Sequence, residues 1–228
     1  MSPRENNFEV SVVGGGQAGA EAAFAAARMG ASVLLVSMNL DTIGMLSCNP
    51  AVGGLGKGQL VKEIDALGGE MARVTDESAL QYRRLNTRKG PAVQASRVQV
   101  DRHRYQLAMK RRLENCAGLS LYQGRVEEII IEQGRVRGIR TADGRVFFTE
   151  RLVMAPGTFL DGLIHLGMVN FPGGRLGSAA ASSLAASLRA AGLEMGYFKT
   201  GTCPRLDGRT LDFDRLEEIW LSANSPMD

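Results

Sequence analysis

Six residues, Gly14-Gly-Gly-Gln-Ala-Gly19, constrain this chain more than any other stretch. They match G-x-G-x-x-G, with Gly14, Gly16 and Gly19 in the glycine positions. The match lies between an apolar run at residues 8–13 and an alanine-rich stretch at residues 17–29 that Gly30 stops. A second apolar run at residues 31–37 completes the strand, turn, helix and strand of a right-handed parallel unit. In that setting the first glycine permits a tight turn, and the second lets the backbone approach a pyrophosphate. The third lets the helix pack against the strand, with the phosphate resting on the helix N-terminus. Gly14, Gly15, Gly16, Gln17, Ala18 and Gly19 are therefore candidate nucleotide contacts. The carboxylate that commonly takes the ribose hydroxyls should fall at the end of the second strand, where Ser37 stands. Asn39 is the replacement candidate.

Residues 39–58 read as a glycine-rich loop, longer than the roughly 12–15 residues usual for a structureless connection. It follows the second strand, at the sheet edge where ligands bind. The loop is not a Walker A motif: Ala51 stands at the first glycine position and Gly58 where Ser or Thr is required. It carries Cys48 and Lys57. A nearby cation would favour the nucleophilic thiolate, yet a lone cysteine is more often a small buried hydrophobe, and both readings stand. Helices are expected over residues 60–71, 102–115 and about 178–191. Short strands are expected at 119–122, 126–132, 136–141 and 146–149, with Asp143-Gly144 as a hairpin turn. These strands form a small antiparallel meander near residues 119–150, which ends in a buried strand from residue 151 running into a glycine turn at Gly157. The fold class is α/β: a Rossmann-like, FAD/NAD(P)-binding parallel sheet with helices on both faces.

Composition excludes several classes. No apolar stretch reaches the ~18 residues of a membrane span, and residues 1–7 lack the apolar core of a signal peptide. Cys48, Cys116 and Cys203 form no CxxC pair, and His103 and His165 lie far apart. A disulfide framework and a metal site are thus disfavoured, and a reducing cytoplasmic setting fits. The net charge of +3 is mild, but positive residues gather over 81–90 and again from Arg97 to Arg112. That cluster reads either as a solvated face or as a surface for phosphates, with Lys57, Lys89 and Arg97 as candidates.

Longer words narrow the field. They are Asn39-Leu-Asp-Thr-Ile-Gly, Ser47-Cys-Asn-Pro-Ala-Val-Gly-Gly, Gly58-Gln-Leu-Val-Lys-Glu-Ile-Asp-Ala-Leu-Gly-Gly, Leu85-Asn-Thr-Arg-Lys-Gly-Pro-Ala-Val, Gly157-Thr-Phe-Leu-Asp-Gly-Leu-Ile-His and Lys199-Thr-Gly-Thr-Cys-Pro-Arg-Leu. Through them nearly the whole chain resembles the MnmG (GidA) family of flavoproteins, which modify the wobble uridine of tRNA. The resemblance implies FAD on residues 14–19, with Val126, Gly157 and Ala181 as further cofactor contacts, and a covalent role for Cys48. It also implies an MnmE-like GTPase partner, a homodimer, NADH as reductant and methylenetetrahydrofolate as one-carbon donor. The reaction so implied adds an aminomethyl or carboxymethylaminomethyl group to carbon 5 of the uridine.

Several positions depart from that family. Gln17 stands where histidine is frequent, Ala181 where serine is common, and Cys203 where proline is usual. Family members are far longer. The expectation is therefore an incomplete FAD-binding portion, residues 1–228, with a second region starting near residue 200. Such a chain should be inactive alone and hold FAD more weakly than a complete enzyme. The alternatives are a truncated, non-catalytic FAD-binding paralogue and a TrmFO-like, folate-dependent tRNA uridine methyltransferase.

Overall fold

A computed structural model describes residues 6–201 and 206–216. In chain order the first half comprises β1 (Asn7–Val13), α1 (Gln17–Arg28), β2 (Val33–Ser37), β3 (Ala51–Gly53), α2 (Lys57–Ala66), α3 (Met71–Glu77), β4 (Ala79–Leu85), β5 (Ala95–Val100) and α4 (Arg102–Glu114). The second half comprises β6 (Leu119–Gln123), β7 (Val126–Glu132), β8 (Arg135–Thr141), β9 (Val146–Met154), β10 (Leu163–Leu166), β11 (Val169–Pro172) and α5 (Ser182–Ala190). The described residues form two compact units, 6–45 with 106–196 and 46–105 with 197–201 and 206–216.

The first unit is built on a six-stranded sheet in the order β6-β2-β1-β9-β8-β7. β1 runs parallel to β2 and β9, and β2 runs parallel to β6. All five residues of β2 are buried, which a central parallel strand requires because both its faces are covered. α1 turns Gly19, Ala20, Ala23, Phe24 and Ala27 inward; the glycine and alanines among them allow the helix to lie close on β1 and β2. Leu34 and Val36 point the other way from Val33 and Leu35, as alternation demands. They join Val13, Val126, Ile139 and Phe147 in a cluster closed by Ala181, Leu184 and Leu188 at α5. The expected helices on both faces are thus α1 and α5.

The meander differs from expectation in two respects. β6 belongs to the parallel sheet, paired with β2 from Val33↔Leu119 to Ser37↔Gln123. β9 is one nine-residue strand where two were expected. Its first part pairs antiparallel with β8, and its length pairs parallel with β1. Glu150 and Arg151 imitate a turn in composition, but both are exposed within a continuous strand. The meander β7-β8-β9 therefore extends the parallel sheet rather than forming a separate one. The β10–β11 hairpin also escaped the sequence reading.

In the second unit β3, β5 and β4 form an antiparallel sheet on which α2 packs. The expected loop at 39–58 therefore contains a strand. The single helix expected at 60–71 is two, α2 and α3, separated at Leu67-Gly68-Gly69. Strands β4 and β5 were not foreseen, since Arg83 and Arg84 obscure the alternation in the first. Asp101 caps α4, its Oδ1 accepting from the backbone N–H of His103 and Arg104 at 2.9 and 3.0 Å. No helix among the described residues is long and apolar enough to cross a membrane.

Leu184 is 2 % exposed at the centre of the α5 cluster. Leu184→Ala should lower the unfolding free energy by about 2–5 kcal/mol. Leu107→Ala, on α4 at 61 % exposure, should stay within about 0.5 kcal/mol. Equal urea midpoints for the two variants would contradict this packing.

Candidate nucleotide-binding site

The glycine turn lies where β1 meets α1, at the C-terminal edge of the parallel strands. Gly14 donates its N–H to the Val36 carbonyl at 2.9 Å and adopts φ +112°. A Cβ there would run into the carbonyl of Ala155, just past β9. A Cβ on Gly15 would meet Ile43 and Ser37 Oγ at 2.8 Å, and one on Gly19 would strike the Gly14 carbonyl. These three positions are glycine because the chain's own packing leaves no room.

Gly16 is different. Its φ of −77° suits any residue, and a Cβ there would meet nothing within 4 Å. It is the N-cap of the twelve-residue α1, makes no side-chain cap hydrogen bond, and has no acidic residue in the turn behind it. The leading N–H groups of a helix lack intrahelical partners, and with the helix dipole they attract anions. A bare backbone at the mouth of such a helix fits a pyrophosphate. Gly16 and Ala18 are both exposed.

The loop after β2 is fastened to this turn. Gly44 N–H donates to the Gly15 carbonyl at 2.9 Å, and Gln17 Nε2 donates to the Gly44 carbonyl at 2.7 Å. Ile43 is fully buried, and a Cβ on Gly44 would collide with Met109 of α4. From α4, Lys110 Nζ also reaches Asp41 Oδ1 at 2.7 Å, and Gln106 Nε2 bonds to the Asp41 carbonyl. The Asp41 hydrogen bond holds the Lys110 ammonium above its usual pKa. Sequence reasoning missed this brace, because α4 comes from a segment some sixty residues further on.

Ser37 is buried and donates to the Asn39 carbonyl at 3.3 Å. Asn39 is exposed, and its Oδ1 accepts the Asp41 N–H at 2.8 Å, capping a short 3₁₀ turn. That leaves the Nδ2 amide as the donor Asn39 offers toward a ligand.

The other candidates of this unit present main chain, not polar side chains. Gly124 N–H donates to the Ser37 carbonyl at 2.9 Å, bringing the start of β7 to the end of β2. Val126 itself is 4 % exposed, with its side chain in the core. Gly157 follows β9 at φ +54°, a conformation that favours glycine. Ala181 is buried and donates its N–H to the Phe159 carbonyl at 2.7 Å. Asp161 ties that corner to α5 through Arg189 at 3.0 Å. Arg189 first, and then Ser182, hold its carboxyl below the ordinary carboxylate range. The structure thus gathers residues 14–19, Asn39, the start of β7 and Gly157 along one sheet edge. An open groove lined by Phe8, Ser32, Arg137 and Phe148 lies at the opposite, N-terminal edge. It has neither a glycine turn nor a helix N-terminus.

Cys48, Lys57, Lys89 and Arg97 belong to the second unit. Cys48 is partly exposed, its Sγ 3.6 Å from the Gly201 carbonyl, while its own carbonyl accepts from Arg102 Nη2 at 3.4 Å. Lys57 is exposed at the first residue of α2. Lys89 is exposed in the β4–β5 loop, and Arg97 lies in β5 between Gly53 and Arg83. Cys203 lies outside the described residues. No cluster of metal-ligating side chains occurs among the described residues.

Comparison with known proteins places this geometry. The family model described as "Glucose inhibited division protein A" matches residues 9–226. A tRNA uridine 5-carboxymethylaminomethyl modification enzyme MnmG from Syntrophotalea carbinolica is 52% identical over 216 residues, 95% of this chain and 35% of that protein. The chain therefore spans about a third of that relative's length. Aquifex aeolicus GidA superposes with a TM-score of 0.90 at 48% identity, covering 95% of this chain and 36% of the other. A GidA-related protein from Thermus thermophilus gives a TM-score of 0.59 at 26% identity, covering 80% of this chain and 68% of the other.

The contrast between Gly16 and Gly19 is testable without ligand. Gly19→Ala should cost about 1–3 kcal/mol or more by overpacking. Gly16→Ala should cost no more than the few tenths to ~1 kcal/mol typical of an N-cap change. If Gly16→Ala proves as costly by urea unfolding, Gly16 is a packing glycine. The Asp161 carboxyl, depressed in the folded state, contributes stability that is complete above the ordinary carboxylate pKa. That contribution is lost as pH falls through the depressed value. Asp161→Asn should flatten the acid limb of the stability curve, and an unaltered limb would contradict the pairing.

Proposed function

The chain belongs to the glucose inhibited division protein A family, and from that premise we propose that it is the FAD-binding part of a tRNA wobble-uridine modification enzyme. The observation that carries the reading is the uncrowded backbone of Gly16 at the mouth of α1, the one glycine of the fingerprint that internal packing does not require. Residues 14–19 would hold the pyrophosphate through main-chain N–H groups. The Asn39 amide would donate to the ribose, and main chain at Val126, Gly157 and Ala181 would line the rest. When bound, the flavin would supply redox chemistry, with NADH as its reductant in the whole enzyme.

What this chain's residues do is bind, orient and react. Cys48 is the proposed nucleophile: its thiolate would add to carbon 6 of the uridine as the C5–C6 double bond opens and puts its electron pair on carbon 5. It would leave when that double bond re-forms after loss of the carbon-5 proton, while Arg102 fixes the backbone beneath it. Methylenetetrahydrofolate as one-carbon source, an MnmE-like GTPase, tRNA as substrate and a homodimeric assembly complete the proposal. The family match at residues 9–226 and the name of the Syntrophotalea relative support it. The 52% identity to a relative named as an MnmG favours it over a TrmFO-like activity.

Two experiments test this reading. Gly16→Val should weaken FAD binding by about tenfold or more, at least 1.4 kcal/mol, with the thermal midpoint of the unliganded chain little changed. Equal flavin retention on gel filtration would count against the seat. Nucleoside mass analysis of tRNA from cells lacking the protein should show loss of the carbon-5 modification at the wobble uridine. A loss confined to the ribothymidine of the T loop would overturn the assignment. Restoring the protein as Cys48→Ser should leave the modification absent while flavin stays bound.

A further inference from the structure

The arginines of the β7–β9 meander and those of the β4–β5 hairpin are balanced differently. Around the meander, Arg125 meets Glu127 at 2.6 Å, Arg140 meets Glu128 at 3.1 Å, Arg145 meets Asp143 at 3.4 Å and Arg151 meets Glu150 at 3.1 Å. The β4–β5 hairpin, residues 79–100, carries Arg83, Arg84, Arg88, Lys89 and Arg97 and contains no Asp or Glu. Among the described residues, none of those five side chains makes a hydrogen bond or an ion pair.

Within the hairpin, Arg83 of β4 and Arg97 of β5 stand directly opposite each other. Directly opposed residues project from the same face, their Cβ atoms about 4.5–5.5 Å apart, and like charges so placed repel. On the other side of Arg97 stands Gly53 of β3, which contributes no side chain to the row. The same face of the next row holds Gln81, Gln99 and Ala51, so no carboxylate on these strands offsets the pair. The loop between the strands is ordered without engaging its charges. Asn86 Nδ2 donates to the Val93 carbonyl at 3.2 Å, and Gln94 Nε2 donates to the Lys89 carbonyl at 2.9 Å. Gln59 of α2 donates to the carbonyls of Ala92 and Gln94, each at 3.2 Å. The frame is held by amides, while Arg83, Arg84, Arg88 and Lys89 are exposed and Arg97 is half-buried.

We propose that the β4–β5 hairpin is a phosphate-binding surface in which Arg83 and Arg97 share one phosphate group, with Arg88 and Lys89 of the connecting loop nearby. Two planar guanidinium forks converging on one tetrahedral anion turn a cross-strand repulsion into paired charge-assisted hydrogen bonds. The row of further cations suits a chain of phosphates better than a single ion. On the proposed tRNA-modifying function, that chain is the RNA backbone. The same chemistry is also carried by the pyrophosphate of a dinucleotide. Contacts of this kind position a nucleic acid without reading its sequence.

The seat is tested on the 228-residue chain with pyrophosphate at fixed ionic strength, every protein in this arm carrying Gly16→Val so that the proposed site at the mouth of α1 does not contribute. Pyrophosphate should raise the thermal midpoint of the chain with the wild-type hairpin. Arg83→Gln alone should remove most of that rise, and adding Arg97→Gln should remove little more, because the anion is shared. Without the anion, at low salt, Arg83→Gln should unfold no lower than wild type, since a repulsion has been relieved. A pyrophosphate response that survives in Arg83→Gln, or losses that simply add, would overturn the shared seat. The source of the phosphate is read by fluorescence anisotropy with tRNA across a potassium chloride series. The double variant should bind more weakly, with a log–log salt slope shallower by about one. Unchanged tRNA binding together with reduced FAD retention would exclude RNA as the source. Wild-type chain that takes up no flavin yet responds to pyrophosphate would count against the flavoenzyme reading and leave the seat standing.

Discussion

The contact between the first turn of α1 and the end of β1 governs the first unit. Gly19 lies against the Gly14 carbonyl, and Gly14 lies against Ala155, so helix, turn and the exit of β9 meet with no side chain between them. Backbone this close can be assembled only from glycine, and the assembly points the unpaired N–H groups of a helix away from the sheet. The remaining elements restrain that arrangement. The loop after β2 bonds to it through Gly44 and Gln17, and α4 braces the loop through Met109 and Lys110. On the other face α5 closes the core beneath β7, β8 and β9. A nucleotide seat made of main chain needs this support, because it has no side chains of its own to adjust.

Much of this was legible in the residues. The β-α-β unit was readable because its apolar runs, alanine-rich helix and glycine spacing all indicate one fold. What failed to show has identifiable physical causes. β9 was divided in two because Glu150 and Arg151 interrupt its apolar character, although its hydrogen bonds to β1 run on through them. β6 was assigned to the meander because sequence adjacency cannot reveal that its partner is β2. The strands of the second unit were hidden by function-like composition: glycines around β3 and arginines in β4. Of the site, the glycine turn was readable, whereas the Asp41–Lys110 brace joins residues that no local pattern relates. Gln17 and Asn39 were placed at the right edge, but each has a structural hydrogen bond that the sequence did not disclose.

The meander and the β4–β5 hairpin handle charge in different ways. In the first unit, exposed arginines of the meander have carboxylate neighbours, and the cofactor seat relies on main-chain dipoles. In the second, a small antiparallel sheet displays uncompensated guanidinium groups, and Cys48 provides the candidate nucleophile. Dipoles suit a compact pyrophosphate that must be held in one register, whereas formal charges on a hairpin suit an extended polyanion that arrives from solvent. On the proposed function, the division fits a protein that would retain its cofactor and exchange its macromolecular substrate.

The most direct test of the nucleotide seat is an NMR titration of the ¹⁵N-labelled chain with ADP, following backbone amides. The largest shifts are predicted at the amides of Gly16, Gln17 and Ala18, saturating together with those at Asn39. Shifts centred instead on Phe8, Ser32 and Phe148, with the glycine turn silent, would contradict it.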